Sequence, residues 1–326
     1  MSFALRHILV TVGPPTSPHA HAIRRAAELA AESGARLELF HANFNPYAGD
    51  AVLMRQSLDE QMEQSLEHSR RRLERLAAPL RRKGLEVTTS VAWDYPAHEA
   101  IVRRALIVMP DLLVAETHKH GVGERLVLTN TDWQLVRLCP VPLLLARSRK
   151  TYRGAAFVAA IDPFHAHAKP ADLDRRILDV AVRLAVQCRA EVHAAHVFRP
   201  PAAYIPGSFA EPVPIAASPA LLKPFEEAVR ARVARFLRPM RRRIAGQHVV
   251  AGDPVRELPV LARSLGAALT VMGAVSRSGL KSLFIGHTAE RVLDRMSSDV
   301  LVVKPHGFRT KVPRKATLPQ IIVPPF

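Results

Sequence analysis

The feature that most constrains this fold is an internal repeat in which apolar segments alternate with amphipathic helical patterns. An apolar run ends in a turn at residues 7–14, and a second run does so at residues 155–163. Each run is followed by a helical pattern, at residues 23–35 and 173–190. The alternation continues through both halves, so the order β-α-β-α-β-α-β-α-β is predicted twice.

The strands of this repeat predict an α/β fold. Continuous apolar runs that alternate with helices are typical of a parallel sheet covered on both faces, and right-handed crossovers arrange it as an open, doubly wound sheet. We therefore predict two tandem doubly wound domains, each a five-stranded parallel sheet in the order 3-2-1-4-5. We expect the halves to form an internal pseudo-dimer through their last strands, residues 141–146 and 299–303. A homodimer of the whole chain is an additional possibility.

The domain boundaries follow from the repeat and from composition. The chain has 326 residues, which suits two domains of about 100–200 residues each. We place a degenerate first α/β domain at residues 1–149 and a second α/β domain, with the remnant of a nucleotide-binding loop, at residues 150–305. A short polar connection joins them. Residues 306–326 form a basic, proline-rich tail, which we expect to be irregular or draped on a domain surface.

Composition indicates a globular protein of a reducing compartment. Hydrophobic residues make up 48% and charged residues 23% of the chain, and no apolar run approaches the roughly 18 residues that span a bilayer. A cytoplasmic location is therefore expected. Cys139 and Cys188 stand in apolar contexts and are predicted to be buried free thiols rather than a disulfide or a zinc site.

The charge balance favours anionic partners. Lys and Arg total 46 against 29 Asp and Glu, a net charge of +17, which suits nucleotides, nucleic acid or acidic lipid. The alternative is that the arginines lie on solvated helix faces. Arg-rich helical patterns at residues 70–83 and 230–243 contain almost no aromatic residues for base stacking, which favours solvated faces.

Ligands of doubly wound sheets bind at the carboxyl ends of the strands, where the strand order reverses. In the second half this switch point follows Ile161 and Met272. Asp162 is placed to accept a hydrogen bond from an adenine amino group or a ribose hydroxyl. Val197, in the neighbouring strand, would provide an apolar wall for a base.

The loop after Met272 has the composition of a phosphate-binding loop. Gly273, Ser276 and Gly286 are small, and a helix start follows them. Small residues let backbone N–H groups approach an anion, and a helix N-terminus adds positive potential. Arg277, with Lys281, would add charge.

This loop carries a resemblance to a known family. The spacing Gly-x-x-small-x9-Gly-polar, followed by TAERVL and DVLVVKP, resembles the universal stress proteins. In their nucleotide-binding members the pattern is Gly, two residues, Gly, nine residues, Gly, and then Ser, Thr or Asn. The stretches GHTAERVL and KPHGF, together with ETHKHG and TNTDWQLVRLCPVP in the first half, look most like the tandem, E-type members.

The resemblance implies a site for ATP or another adenine nucleotide in the second half. Ser276 replaces the second glycine of the family pattern, and His287 replaces the small polar residue. The predicted cofactor-binding residues are Asp162, Val197, Met272, Gly273, Ser276, Arg277, Gly286, His287 and Thr288.

The first half lacks this pattern. Glu116 stands after the fourth strand, where a glycine is expected, and the first strand ends at Gly13 and Pro14 without an acid. A carboxylate at this position repels phosphate. We therefore expect no nucleotide in the first half.

Neither a metal site nor a catalytic site is predicted. The strings His-Ala-His-Ala at residues 19–22 and 165–168 place pairs of histidines at i, i+2, a poor spacing for a shared metal on one helix. No nucleophile elbow or phosphate-loop lysine motif occurs. The predicted function is a stress-response protein that binds a nucleotide or another small anionic ligand, with at most weak ATPase activity. The alternatives are a ligand-free adaptor that acts through its basic surface and, less favoured, an enzyme that uses Asp162 as a base.

Overall fold

The computed structural model describes residues 3–13, 20–43, 55–117, 130–164, 172–200, 203–205, 213–215, 219–274 and 287–316. Strands and helices alternate through most of this chain, as the repeat predicts. The strands are β1 (His7–Thr11), β2 (Arg36–Asn43), β3 (Val87–Trp93), β4 (Leu112–Glu116), β5 (Leu143–Ala146), β6 (Ala156–Ala160), β7 (Glu191–Phe198), β8 (Ala203–Ile205), β9 (Val213–Ile215), β10 (Gly246–Ala251), β11 (Leu269–Gly273) and β12 (Asp299–Val303). The α-helices are α1 (Ala20–Ser33), α2 (Arg55–Arg82), α3 (Ala97–Val108), α4 (Asn130–Leu138), α5 (Leu173–Cys188), α6 (Pro219–Leu237), α7 (Pro254–Ser264) and α8 (His287–Arg295).

Ten of the strands form one continuous sheet in the order β10-β7-β6-β11-β12-β5-β4-β1-β2-β3. Within each half of this sheet all neighbouring strands are parallel, and the strand order is 3-2-1-4-5, as predicted. The halves meet where β12 pairs antiparallel with β5, with Leu301 opposite Leu144. The two five-stranded sheets are therefore a single ten-stranded sheet, joined through the last strand of each half.

Helices cover both faces of this sheet because the strands are apolar on both sides. Every residue of β5 and of β12 is buried. One face packs against α1, α2, α5 and α6, and the other against α3, α4, α7 and α8. Each of the two hydrophobic clusters contains residues of both halves, so the core runs through the junction without interruption.

A buried polar cluster fastens the junction at Asp299, which has no exposed surface. One carboxylate oxygen accepts hydrogen bonds from Arg25 Nε of the first half at 2.7 Å and from the hydroxyl of Tyr152 at 3.0 Å. The other accepts the backbone N–H groups of Arg147 at 2.8 Å and Ser148 at 2.6 Å. Four donors satisfy this buried carboxylate. Its hydrogen bonds therefore link β12 to α1 and to the segment between the two halves, residues 147–152.

Two elements differ from the sequence prediction. The helix expected over residues 230–243 ends at Leu237 and continues as a 3₁₀ helix over Arg238–Arg243. Pro239 has no N–H with which to continue the α-helical hydrogen bonds, which explains the change. A two-stranded hairpin of β8 and β9 also forms in a segment expected to be a loop.

The described part of the tail follows the domain surface. Residues 304–316 contain neither helix nor strand, yet Val312 is buried in the same cluster as α7 and α8. Cys139 and Cys188 are buried free thiols, as predicted, and burial raises the pKa of each to about 12. Among the described helices, none combines the length and the apolar character needed to cross a bilayer.

Candidate functional site

The predicted residues of the second half converge at the carboxyl edge of the sheet. Strand β6 lies between β11 and β7, and the register pairs Val271 with Ala159 and Ala160 with Ala195. Continued by two residues, this register puts Gly273 level with residue 161 and Asp162 level with residue 197. The three strand ends therefore lie side by side at the switch point.

Gly273 has a packing role at this position. A Cβ on Gly273 would lie 2.7 Å from Leu173 Cδ2 and 3.3 Å from Ile177 Cδ1. Distances below 3.0 Å force a shift of the neighbour, so the glycine lets the first turn of α5 lie directly against β11. The missing side chain also leaves the end of β11 as bare backbone.

Asp162 is held by the start of α5. Its backbone N–H donates to Asp174 Oδ1 at 3.0 Å, while its own carboxylate lies 3.8 Å from His196 Nδ1 and keeps 35% of its side chain exposed. The acid is thus fixed in place and remains accessible from the carboxyl edge.

Of the remaining predicted residues, some are described by the structure and the others are not. Val197 and Met272 pack against the cluster on the α7 and α8 face, and Thr288 is exposed in the first turn of α8. Ser276, Arg277 and Gly286 lie outside the described residues. His287 begins α8, and its side chain also lies outside the described set.

A buried histidine beside Asp162 was not predicted. His196 in β7 is 3% exposed, and its Nδ1 lies 3.1 Å from the carbonyl oxygen of Ile161. The first half has the same arrangement, where His41 Nδ1 lies 2.7 Å from the carbonyl oxygen of Val12. Both histidines are the sixth residue of the second strand of their half, so a comparison of the two repeats would have found them.

Aromatic and cationic groups flank His196. The ring of Phe164 stacks on it with centroids 5.1 Å apart, and the guanidinium of Arg232 lies 4.7 Å above Phe164. This stack links the turn after β6 to helix α6. It forms one wall beside the carboxylate of Asp162.

A second unpredicted group is Lys304, directly after β12. It is 4% exposed, and its Nζ donates to the carbonyl oxygen of Ala274 at 3.0 Å. Burial lowers the pKa of Lys304 to about 8, partly opposed by Cys139. The ammonium therefore places positive charge under the start of the loop after β11.

The first half has a different side chain at the equivalent switch point. Glu116 ends β4 as Gly273 ends β11, and it is 7% exposed. Its Oε2 accepts the backbone N–H groups of His21 at 3.0 Å and Ala22 at 3.3 Å. The carboxylate of the chain itself thus occupies the N-terminus of α1, where an anionic ligand would otherwise bind.

Of the four histidines in the repeated strings, only His21 lies among the described residues. The prediction about metal at these strings therefore stays a prediction. His21 contributes its backbone N–H to the contact with Glu116.

The fold and the two strand-end sites define a tandem, doubly wound α/β protein whose halves differ at their switch points. A family model of the Universal stress protein family matches residues 4–147 and 169–304, so the chain belongs to this family. It is 27% identical over 241 residues to universal stress protein E of Salmonella typhi, covering 70% of this chain and 72% of that protein. It is 25% identical over 313 residues to universal stress protein E of Photorhabdus laumondii subsp. laumondii, covering 93% and 96%.

Solved structures match the fold of both halves together. A putative universal stress protein from Pseudomonas aeruginosa UCBPP-PA14 superposes with a TM-score of 0.70 at 26% identity, covering 93% of this chain and 94% of that chain. A universal stress protein from Archaeoglobus fulgidus DSM 4304 has a TM-score of 0.61 at 14% identity, covering 91% and 98%. The chain is thus a tandem member of the family, similar to universal stress protein E.

Proposed function

We propose that the second half binds an adenine nucleotide, such as ATP, at its switch point, and that the first half does not. Asp162 would accept a hydrogen bond from the adenine amino group or a ribose hydroxyl. Val197 and Met272 would line the base, and the loop after Gly273, with Ser276, Arg277, Gly286, His287 and Thr288, would surround the phosphates. The protein would act through binding in a stress response, with at most slow hydrolysis.

The difference between Gly273 and Glu116 carries this proposal. These residues end equivalent strands, but Glu116 places its carboxylate on two N–H groups of the first turn of α1, and Gly273 has no side chain to do so. The acid in the first turn of α5, Asp174, accepts the backbone N–H of Asp162. A bound phosphate beside Glu116 would face a like charge in a poorly solvated position, which disfavours binding. Beside Gly273 the strand ends in backbone, and Lys304 Nζ lies against the next carbonyl.

The positive charge of Lys304 supports an anion in this position. A buried ammonium acts through a lower effective dielectric than a surface lysine, so its potential reaches the adjacent loop with less screening. The first-half equivalent of Lys304 is Arg147, and its Nη1 donates to the carbonyls of Leu293 and Met296 in the other half rather than to the end of β4. The second switch point is therefore the more favourable one for phosphate.

Thr288 provides a test with a matched control. Thr288 and Thr131 are the second residues of α8 and α4, the equivalent helices of the two halves. A hydrogen bond to a charged group contributes about 1.5–3 kcal/mol. Thr288→Val should therefore weaken ATP binding at least tenfold in isothermal titration, while Thr131→Val should leave the affinity unchanged. Equal affinities for the two variants would reject the site.

A second candidate function rests on the exposed 3₁₀ helix. Arg238, Arg241, Arg242 and Arg243 are all exposed, and none forms an ion pair with a described residue. Such a cluster suits an adaptor that binds nucleic acid or acidic lipid. Binding of a DNA duplex or of anionic vesicles that is lost when these arginines become glutamine, in a protein that ignores ATP, would favour this function.

A further inference from the structure

Two histidines meet on the outer strands of the second half, away from the switch point. His193 lies in β7 and His248 in β10, the edge strand of the sheet. Nδ1 of His193 is 3.1 Å from Nε2 of His248, and the ring centroids are 5.3 Å apart. Both side chains are only partly buried, so solvent reaches this pair.

Both nitrogens lie close to the backbone of Gly246. Gly246 is the register partner of His193, and a Cβ on this glycine would lie 2.6 Å from His193 Nδ1 and 3.0 Å from His248 Nε2. Two imidazole nitrogens that bind one tetrahedral zinc at about 2.0–2.1 Å lie about 3.3 Å apart. The observed separation is close to this value, and the absence of a side chain at residue 246 lets both rings take these positions.

A carboxylate lies on the outer side of the His193 ring. Glu191 Oε2 lies 3.9 Å from His193 Nε2, the nitrogen that points away from His248. A carboxylate there favours a proton on Nε2 and leaves the lone pair on Nδ1.

We propose that His193 and His248 form a binding site for a divalent transition cation of the Zn²⁺ or Cu²⁺ type. The two nitrogens provide the protein ligands, and water completes the coordination sphere. In the metal-bound pair each ring keeps one proton on its outer nitrogen, so a neutral pair binds the cation without net release of protons. Imidazole ligands suit these cations better than Mg²⁺ or Ca²⁺, which take oxygen ligands.

Copper titration of the full-length, metal-free protein tests this site. Electron paramagnetic resonance should show one equivalent of Cu²⁺ with coupling to two imidazole nitrogens. His193→Gln and His248→Gln should each remove this two-nitrogen signal and weaken the first equivalent at least tenfold. His68→Gln, a change at an exposed histidine of α2, should retain the wild-type signal.

Gly246→Ala keeps both imidazoles but displaces them, because its Cβ would collide with His193 Nδ1 and His248 Nε2. This variant should also weaken Cu²⁺, with an unchanged circular dichroism spectrum as the control for folding. Wild-type affinity and signal in the His193→Gln/His248→Gln double variant would overturn the proposal and leave the pair as a hydrogen bond only.

Discussion

At the residue scale, the groups that distinguish this site are those whose roles depend on tertiary contacts. The loop glycines and Asp162 are predictions from the sequence, since strand ends and small residues have local patterns, and their role in ligand binding stays a prediction. Lys304 and His196 could not be found from one segment, because a lysine after a strand is usually solvated and a strand histidine has no fixed role. Gly273 was predicted from the loop pattern, but its contact with Leu173 depends on how closely α5 approaches β11.

Lys304 predicts a pH dependence of stability. The pKa of Lys304 is about 8 in the folded protein against 10.5 for the ordinary group. The unfolded chain therefore binds more protons between pH 8 and 10.5, and this group adds stability as pH rises through that window. From pH 8 to pH 9, urea unfolding should show the wild type gaining about 1 kcal/mol relative to Lys304→Met.

The two buried cysteines have a raised pKa in the folded protein, so they lower its stability as the pH rises. Wild type and Lys304→Met share this effect, and it cancels in their comparison. Lys83→Met, at an exposed lysine, serves as the control and should differ from wild type by the same amount at both pH values. A constant difference between wild type and Lys304→Met would show that the ammonium is not buried as described.

At the element scale, most of the fold follows from the alternation of apolar strands and amphipathic helices. Strand order and the junction strands were predicted because the repeat fixes the crossovers and both last strands are fully apolar. The 3₁₀ segment after α6 and the hairpin of β8 and β9 were missed. Pro239 was a local signal for the first, whereas the short hairpin strands have no strong alternation.

The contact between Glu116 and α1 predicts that Glu116, at the end of β4, stabilises the fold by capping this helix. Glu116→Ala leaves two N–H groups of the first turn without this acceptor, and loss of a buried cap costs about 1–3 kcal/mol. Thermal unfolding should therefore show a clear loss of stability. Glu67→Ala, which removes a half-exposed partner of Arg71, should cost less than about 1 kcal/mol. Equal losses would contradict the capping role.

At the scale of the whole molecule, the halves form one structural unit rather than two domains on a tether. The sheet, both hydrophobic clusters and the cluster around Asp299 all cross the junction. The two tryptophans, Trp93 and Trp133, lie in the first half. Their fluorescence therefore reports on that half, whereas far-ultraviolet circular dichroism reports on both.

Asp299→Asn tests whether the two halves form one structural unit. Removal of the charge leaves the buried Arg25 with Glu28 as its remaining ionic partner, and loss of one partner of a buried ion pair costs about 3–5 kcal/mol. The two probes should coincide in urea for the wild type, and the variant should unfold at a much lower urea concentration. Glu32→Gln removes a pair with the exposed Arg153 at 3.6 Å and should cost less than about 1 kcal/mol. A small loss in Asp299→Asn would show that the cluster does not stabilise the junction.

The asymmetry between the two switch points is the central claim, and an ATP titration of the wild-type chain by isothermal calorimetry tests it most directly. The titration should show one nucleotide per chain, with binding weakened by Asp162→Ala and unaffected by Thr131→Val. Two nucleotides per chain would show that Glu116 does not close the first site. No binding of ATP or any other adenine nucleotide would contradict the proposed function of the second half.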